Sequence, residues 1–244
     1  MRYRVSRAES GQAAVESALT LPLAVFLVLG SLQLFLMLQA RLMAEHAAFR
    51  AVRAGSLGQG SCRRMMHAAV TTLLPTFTRT DTAPRLAQAF KARIGNRYEP
   101  SLDSRHNGDI VWLLRQHPLR AEIGGQEDGA FDDPDRESLR LEVRLIFWYP
   151  MRIPFANWVI ARMALAHWGL RDYDALNPLM AVQGDANWTE DNPPPDTLSG
   201  AVAATFKART NSPAGTFVFP IQASYGMRMM TPARREFFTP QDCR

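Results

Sequence analysis

The chain has 244 residues and a net charge of +5, from 28 basic and 23 acidic side chains. Only Lys91 and Lys207 of the basic set are lysines. The arginines scatter along the whole length with no basic block interleaved with aromatics, which excludes a nucleic-acid groove. Apolar residues make up 47% of the chain and concentrate near the N-terminus, and the chain beyond residue 54 is long enough for one domain with its own core.

The first element is the most informative. Residues 11–38 read GQAAVESALTLPLAVFLVLGSLQLFLML, in which Glu16 leads into 21 uncharged residues, Ala18 to Leu38. At 1.5 Å per residue such a run spans about 30 Å, the thickness of bilayer hydrocarbon. A cleaved secretory signal has an apolar core of only about 7–15 residues. Here the helical character also continues past the core, through QARLMAEHAAFRAVRAG, with Gly55 as a natural stop. The spacing predicts one helix of about 40 residues over 12–54, membrane-spanning at about 18–38, with Pro22 and Gly30 as points where it can kink. Arg2, Arg4 and Arg7 precede the span, and Arg41, Arg50 and Arg53 follow it, so charge counting does not orient it.

Beyond Gly55, residues 61–75 carry an apolar stripe of Met65, Met66, Ala69, Val70, Leu73 and Leu74, predicting a helix that stops at Pro75. Pro84 to Ile94 reads as a second short helix. From Gly95 to Glu137 the chain reads as irregular and polar, with a helical turn at Ile110–Gln116. The clearest strand is Ser138 to Tyr149, where Leu139, Leu141, Val143, Leu145 and Phe147 alternate with Arg140, Glu142 and Arg144. Ile153 to Trp168 reads as an amphipathic helix, and 169–212, rich in Asn, Asp, Pro and Gly, as a long loop insertion. Phe217 to Met230 gives a strand pair or one broken strand, with Pro220 suiting an edge. The order of elements predicts an α+β domain with an antiparallel sheet of two to four strands packed on helices.

Candidate site chemistry is sparse. The five histidines form no HExxH or His–carboxylate set, and no nucleophile elbow, Walker loop or dinucleotide fingerprint occurs. No catalytic residue, cofactor or metal site is therefore expected, and the chain reads as a non-enzyme. Glu127, Asp128, Asp132, Asp133 and Asp135 lack EF-hand spacing and read as solvated loop charge. Cys62 and Cys243 sit in no metal-ligand spacing; in an oxidising compartment they could pair, and otherwise they are two free thiols. The aromatic set Phe147, Trp148, Tyr149, Phe155, Trp158 and Trp168 reads as core or membrane-proximal packing, with a partner surface as the sharper alternative.

The basic leader Met1 to Ser10, Gly11, Glu16 as the fifth residue after it, and the apolar helix with Pro22 together resemble the class III signal of type IV pilin-like proteins. The resemblance is in particular to the TadE-like pseudopilins of tight-adherence (Tad, or Flp) pilus systems. ARLMAEHAAFRAVRAG and the late segment Pro220 to Met229 resemble the same family, whereas Ser17 stands where its members usually carry Phe or Tyr. The resemblance implies cleavage by a prepilin peptidase between Gly11 and Gln12, removing residues 1–11. It implies a bitopic inner-membrane protein, N-terminus cytoplasmic, with a periplasmic domain over 55–244. Implied partners are other pilins, the inner-membrane assembly platform, the peptidase and membrane lipid. The alternatives are an uncleaved signal-anchored periplasmic scaffold or binding protein and, more distantly, a type II secretion pseudopilin. Cleavage would create an α-ammonium at Gln12 with a pKa of about 7.7–8.0. Glu16 lies four residues on, on the same helix face, and could neutralise that ammonium or a neighbouring subunit's.

Overall fold

The computed structural model describes residues 9–123, 139–167, 198–211 and 216–243. The first element, α1 (Glu9–Leu57), is a single run of 49 helical residues that continues through Pro22 and Gly30, about 74 Å at 1.5 Å per residue. It is longer at both ends than its apolar pattern implies. Gly55 lies inside it because the helix there approaches Met65 and Leu141 too closely for a side chain. After a turn at 58–60 comes α2 (Cys62–Leu73), which carries the expected apolar stripe and passes into a 3-10 turn at Leu74–Thr76. Then comes α3 (Ala83–Ala92), with proline in its first turn.

The sheet is antiparallel and four-stranded, in the order β3-β2-β1-β4. β1 (Val111–His117) is the first departure from expectation. The helical turn anticipated at Ile110–Gln116 is a central strand, its first five residues all buried. A short unbroken apolar run such as VWLL has no period of its own, and pairing on both edges decides its conformation. β2 (Arg140–Pro150) alternates as expected through Leu145, but from there to Pro150 both of its faces are covered. β3 (Val218–Arg228) is one strand, not two. It pairs with β2 along its whole length and lies at the sheet edge, where Pro220 opposite Trp148 is tolerated. β4 (Asp242–Cys243) adds two residues beside Leu113 and Leu114.

Two helices remain. α4 (Ala156–His167) follows β2, within the expected Ile153–Trp168 segment. α5 (Leu198–Thr210) corrects the reading of 169–212 as loop throughout. Its alanine-rich sequence favours helix once Phe206 is buried, with its ring 6.2 Å from that of Phe219 on β3. The acidic patch at 127–135 and the run Pro193–Pro194–Pro195 lie outside the described residues.

The second half of α1 packs on α2, β2 and β3. Its contact stripe is small: Ala40, Ala44, Ala47, Ala48, Ala51 and Val52 are all fully buried. Alanine at this spacing lets the helix backbone lie close to the sheet, so the long helix is one wall of the core. On the sheet's other side Trp148 packs edge-on to Trp112 at 5.1 Å, with the Arg209 guanidinium 4.7 Å above the Trp148 ring.

Candidate functional site

α1 supplies the site anticipated from sequence. Gly11 and Gln12 fall within its first turn. Glu16 follows and is exposed, its backbone carbonyl accepting the Thr20 hydroxyl at 2.9 Å. Among the described residues the Glu16 carboxylate makes no ion pair. From Val15 to Leu38, eleven large apolar side chains are 47–72% exposed. Of the described residues, α1 is the one helix long and apolar enough to cross a membrane.

The change from exposed to buried along α1 is gradual, and one residue marks it. Gln33, the only side-chain amide between Ala18 and Leu38, is fully buried. Its Oε1 accepts the Ile153 N–H at 3.0 Å, and its amide also lies against the Tyr149 hydroxyl. Below it, towards the N-terminus, Phe26 meets Phe155 edge-on at 5.6 Å between ring centroids. Phe155 holds this position with a left-handed backbone, φ +67°, a conformation that costs an L-residue roughly 1–2 kcal/mol. The domain therefore reaches down α1 as far as Phe26, through the Ile153–Phe155 turn and α4.

A second constellation lies at the far end of the core. The structure joins Cys62, first residue of α2, to Cys243 of β4 in a disulfide, with the Cα atoms 5.4 Å apart. Beside it Arg115 of β1 is buried and donates to four backbone carbonyls, those of Gly60, Phe237, Pro240 and Gln241. Its guanidinium stacks 4.1 Å above the Phe238 ring. Burial lowers its pKa to about 10, while Asp242 acts the other way, so the side chain stays cationic at neutral pH. Together the bridge and Arg115 fasten the C-terminal segment to the start of α2. Sequence reasoning singled out the cysteines but missed Arg115, whose position in an apolar strand was the one available signal.

Several other polar groups are held by neighbours within the fold. Arg93 and Asp103 form a buried ion pair, and Asp103 also accepts the Glu99 N–H at 2.8 Å. His106 is buried against the carbonyls of Asp103 and Phe217, while His46 stacks on Phe49 and His67 meets Phe90 edge-on. No group of three metal-ligating side chains occurs among the described residues. The aromatic set divides. Phe147, Trp148 and Tyr149 are core, whereas Phe155 and Trp158 are 54% and 49% exposed, and Trp168 lies outside the described residues.

No curated protein and no solved structure matches the chain. A family model does: residues 11–53 match that of TadE-like protein. The matched segment opens at Gly11, contains Glu16, the exposed apolar run and Gln33, and closes on the alanine stripe buried against the sheet. By these residues the N-terminal segment 11–53 is TadE-like.

Proposed function

We propose that this chain is a minor pilin or pseudopilin of a bacterial Tad-type (Flp) pilus or a related secretion apparatus, a structural subunit and not an enzyme. The observation that carries this reading is the family match beginning at Gly11 on a helix whose first half is apolar and exposed and whose second half is a wall of the core. A prepilin peptidase cuts between Gly11 and Gln12 on the cytoplasmic face. The mature chain then starts at Gln12 with the long helix, which runs to Leu57, and continues into a domain on the periplasmic side.

Glu16 carries the assembly charge. A carboxylate near hydrocarbon is unfavourable by as much as about 2.5–3.5 kcal/mol at the bilayer centre and less near the edge. The α-ammonium created at Gln12 relieves that cost, either within one chain or between neighbouring subunits, where the pairing fixes their axial stagger. Its partners are thus other pilins and the inner-membrane assembly platform. An oxidising periplasm also suits the Cys62–Cys243 bridge.

The test is N-terminal sequencing of the full chain extracted from membranes of cells co-expressing the cognate peptidase. The expected start is Gln12, and Gly11→Ala abolishes the cut. A start at Met1 in the wild-type chain overturns the reading in favour of an uncleaved anchor. Glu16→Ala is expected to be cut normally yet to lose co-purification with the other pilins.

A further inference from the structure

The length of α1 below its contact with the domain does not suffice to cross a bilayer. Phe26 is the lowest α1 residue with a ring contact to the turn that enters α4, against Phe155. From Gln12 to Val25 the helix rises only about 21 Å, against roughly 30 Å of hydrocarbon. A bilayer crossed by this helix must therefore extend past Phe26, towards Leu38. Phe26 to Leu38 is a rise of about 18 Å, and over that height α4 lies alongside α1.

The composition of α4 and its entry turn suits that position. Phe155, Trp158 and Met163 are 54%, 49% and 67% exposed, while Ala156, Ala161 and Leu165 are buried. α4 has 12 residues, about 18 Å, too short to span a membrane by itself. Between α1 and α4 runs an open groove of about 630 Å³, and among the described residues Ser31 is the only one lining it with a polar side chain. That hydroxyl is already bonded to the Leu27 carbonyl at 2.7 Å, so the described residues present no bare polar side chain to the groove. On the groove's α1 side Gly30 leaves it unobstructed: a Cβ there would meet nothing within 4 Å. Arg162 is the one charged residue of α4. It reaches away to Asn211, 3.5 Å from its Oδ1, and its long stem allows the head to reach the interface. Exposed Arg152 stands just before the turn, and an interfacial Trp beside cationic residues is the usual composition of a bilayer boundary.

We infer that α4 is a second membrane-contacting element, lying in the outer leaflet beside α1 with Phe155, Trp158 and Met163 against lipid acyl chains, one of which occupies the α1–α4 groove. The occupant is lipid because the exposed face of α4 is continuous with the exposed apolar surface of α1 and at the same height. This rests on the reading of α1 as a membrane span. The domain is therefore partly sunk into the bilayer and held at a fixed depth, with the Gln33–Ile153 hydrogen bond joining α1 to the turn before α4.

The experiment uses the full chain in lipid nanodiscs, labelled with a carbene-generating diazirine that partitions into hydrocarbon, then digested with trypsin. Cleavage at Arg152 and Arg162 isolates residues 153–162, and cleavage at Arg41 isolates the apolar part of α1. Residues 98–105, released at Arg97 and Arg105, serve as the control outside the membrane. The expected result is labelling of both the α1 and 153–162 peptides, each roughly tenfold above the control, since the probe concentrates in the hydrocarbon layer. Labelling of α1 with 153–162 at the control level overturns the inference and leaves the membrane-spanning reading intact. Labelling of neither overturns both.

Discussion

Gln33 and Ile153, 120 residues apart, are joined by a hydrogen bond of 3.0 Å from the Ile153 amide to the Gln33 side chain. The bond closes the turn that leads into α4 against the uncharged run of α1. Removing the Gln33 side chain leaves the half-buried Ile153 N–H without this partner and empties a fully buried position on α1. Gln33→Ala is therefore expected to destabilise the folded domain by about 1–3 kcal/mol. Ser31→Ala, two residues away, removes only a hydroxyl bonded within its own helix and is expected to change stability by less than about 0.5 kcal/mol. Near-UV circular dichroism of the full chain during denaturant unfolding in detergent compares the two. Equal midpoints for both variants would show that the Gln33 contact contributes nothing.

Two glycines on α1 predict opposite outcomes. A Cβ at Gly30 meets nothing within 4 Å, so Gly30→Ala is expected to stabilise by up to about 1 kcal/mol through helix propensity alone. A Cβ at Gly55 would stand 2.5 Å from Met65 Sδ and 2.7 Å from Leu141 Cδ2, both fully buried side chains with little room to yield. Gly55→Ala is expected to destabilise by about 1–3 kcal/mol, as overpacked cores do. The same unfolding assay reads both, and a stabilised Gly55→Ala would mean that α1 and β2 pack more loosely than the distances imply.

The bridge between Cys62 and Cys243 closes a loop of 181 residues and holds a strand of only two. Loop-closure entropy for so long a loop gives about 5 kcal/mol as an upper value, with measured bridges nearer 2–4 kcal/mol. The double variant Cys62→Ser, Cys243→Ser is expected to lose that amount. Arg115 retains its carbonyl partners in such a variant, so the C-terminal segment should fray and not detach. Limited proteolysis with mass spectrometry checks this: early cleavage after Arg234 or Arg235 is expected only in the double variant. Unchanged stability and an unchanged digestion pattern would assign the fastening to Arg115 alone.

How legible this fold was depends on whether a segment's conformation is decided locally. α2 and the first half of β2 follow their apolar periods, because one face of each is covered and the other is not, and α1 is legible from the length of its uncharged run. β1 defeats the same reasoning. Val111 to Leu114 are buried on both faces, so no alternation survives in the sequence, and only the neighbouring strands β2 and β4 make it a strand. α5 was hidden by its Pro- and Asn-rich surroundings, which dominate the composition of the segment. At the site, Gly11 and Glu16 stood out because a glycine and an acid bracket the start of an apolar run. Gln33 did not, although it is the lone amide in that run. Its meaning comes from Ile153, which no local pattern places beside it.

Tyr98 ties the domain's stability to alkaline pH. Its hydroxyl donates to the Trp148 carbonyl at 2.7 Å, and its ring packs edge-on to Phe77 at 5.2 Å. Burial holds the phenol proton and raises the pKa well above the ordinary value of 10, with nearby Asp103 adding to the effect and Arg209, Arg152 and Arg93 opposing it. In the unfolded chain the phenol ionises near 10. Above that pH the unfolded state therefore binds fewer protons than the folded one, and stability falls as pH rises from about 10 towards the raised folded value. Tyr149 is shifted in the same direction by its burial and adds to the slope, whereas Arg115 and Arg209, lowered by burial, oppose it. The readout is accordingly a difference between wild type and Tyr98→Phe, in which most of these other contributions cancel. At pH 8 the variant should be less stable by about 0.5–1.5 kcal/mol for the lost hydrogen bond. That deficit should shrink as pH is raised above about 10, because the variant has no phenol at this position to ionise on unfolding. Denaturant midpoints at a series of pH values test the sign directly, and a deficit that stays constant or grows would mean that Tyr98 ionises in the folded domain.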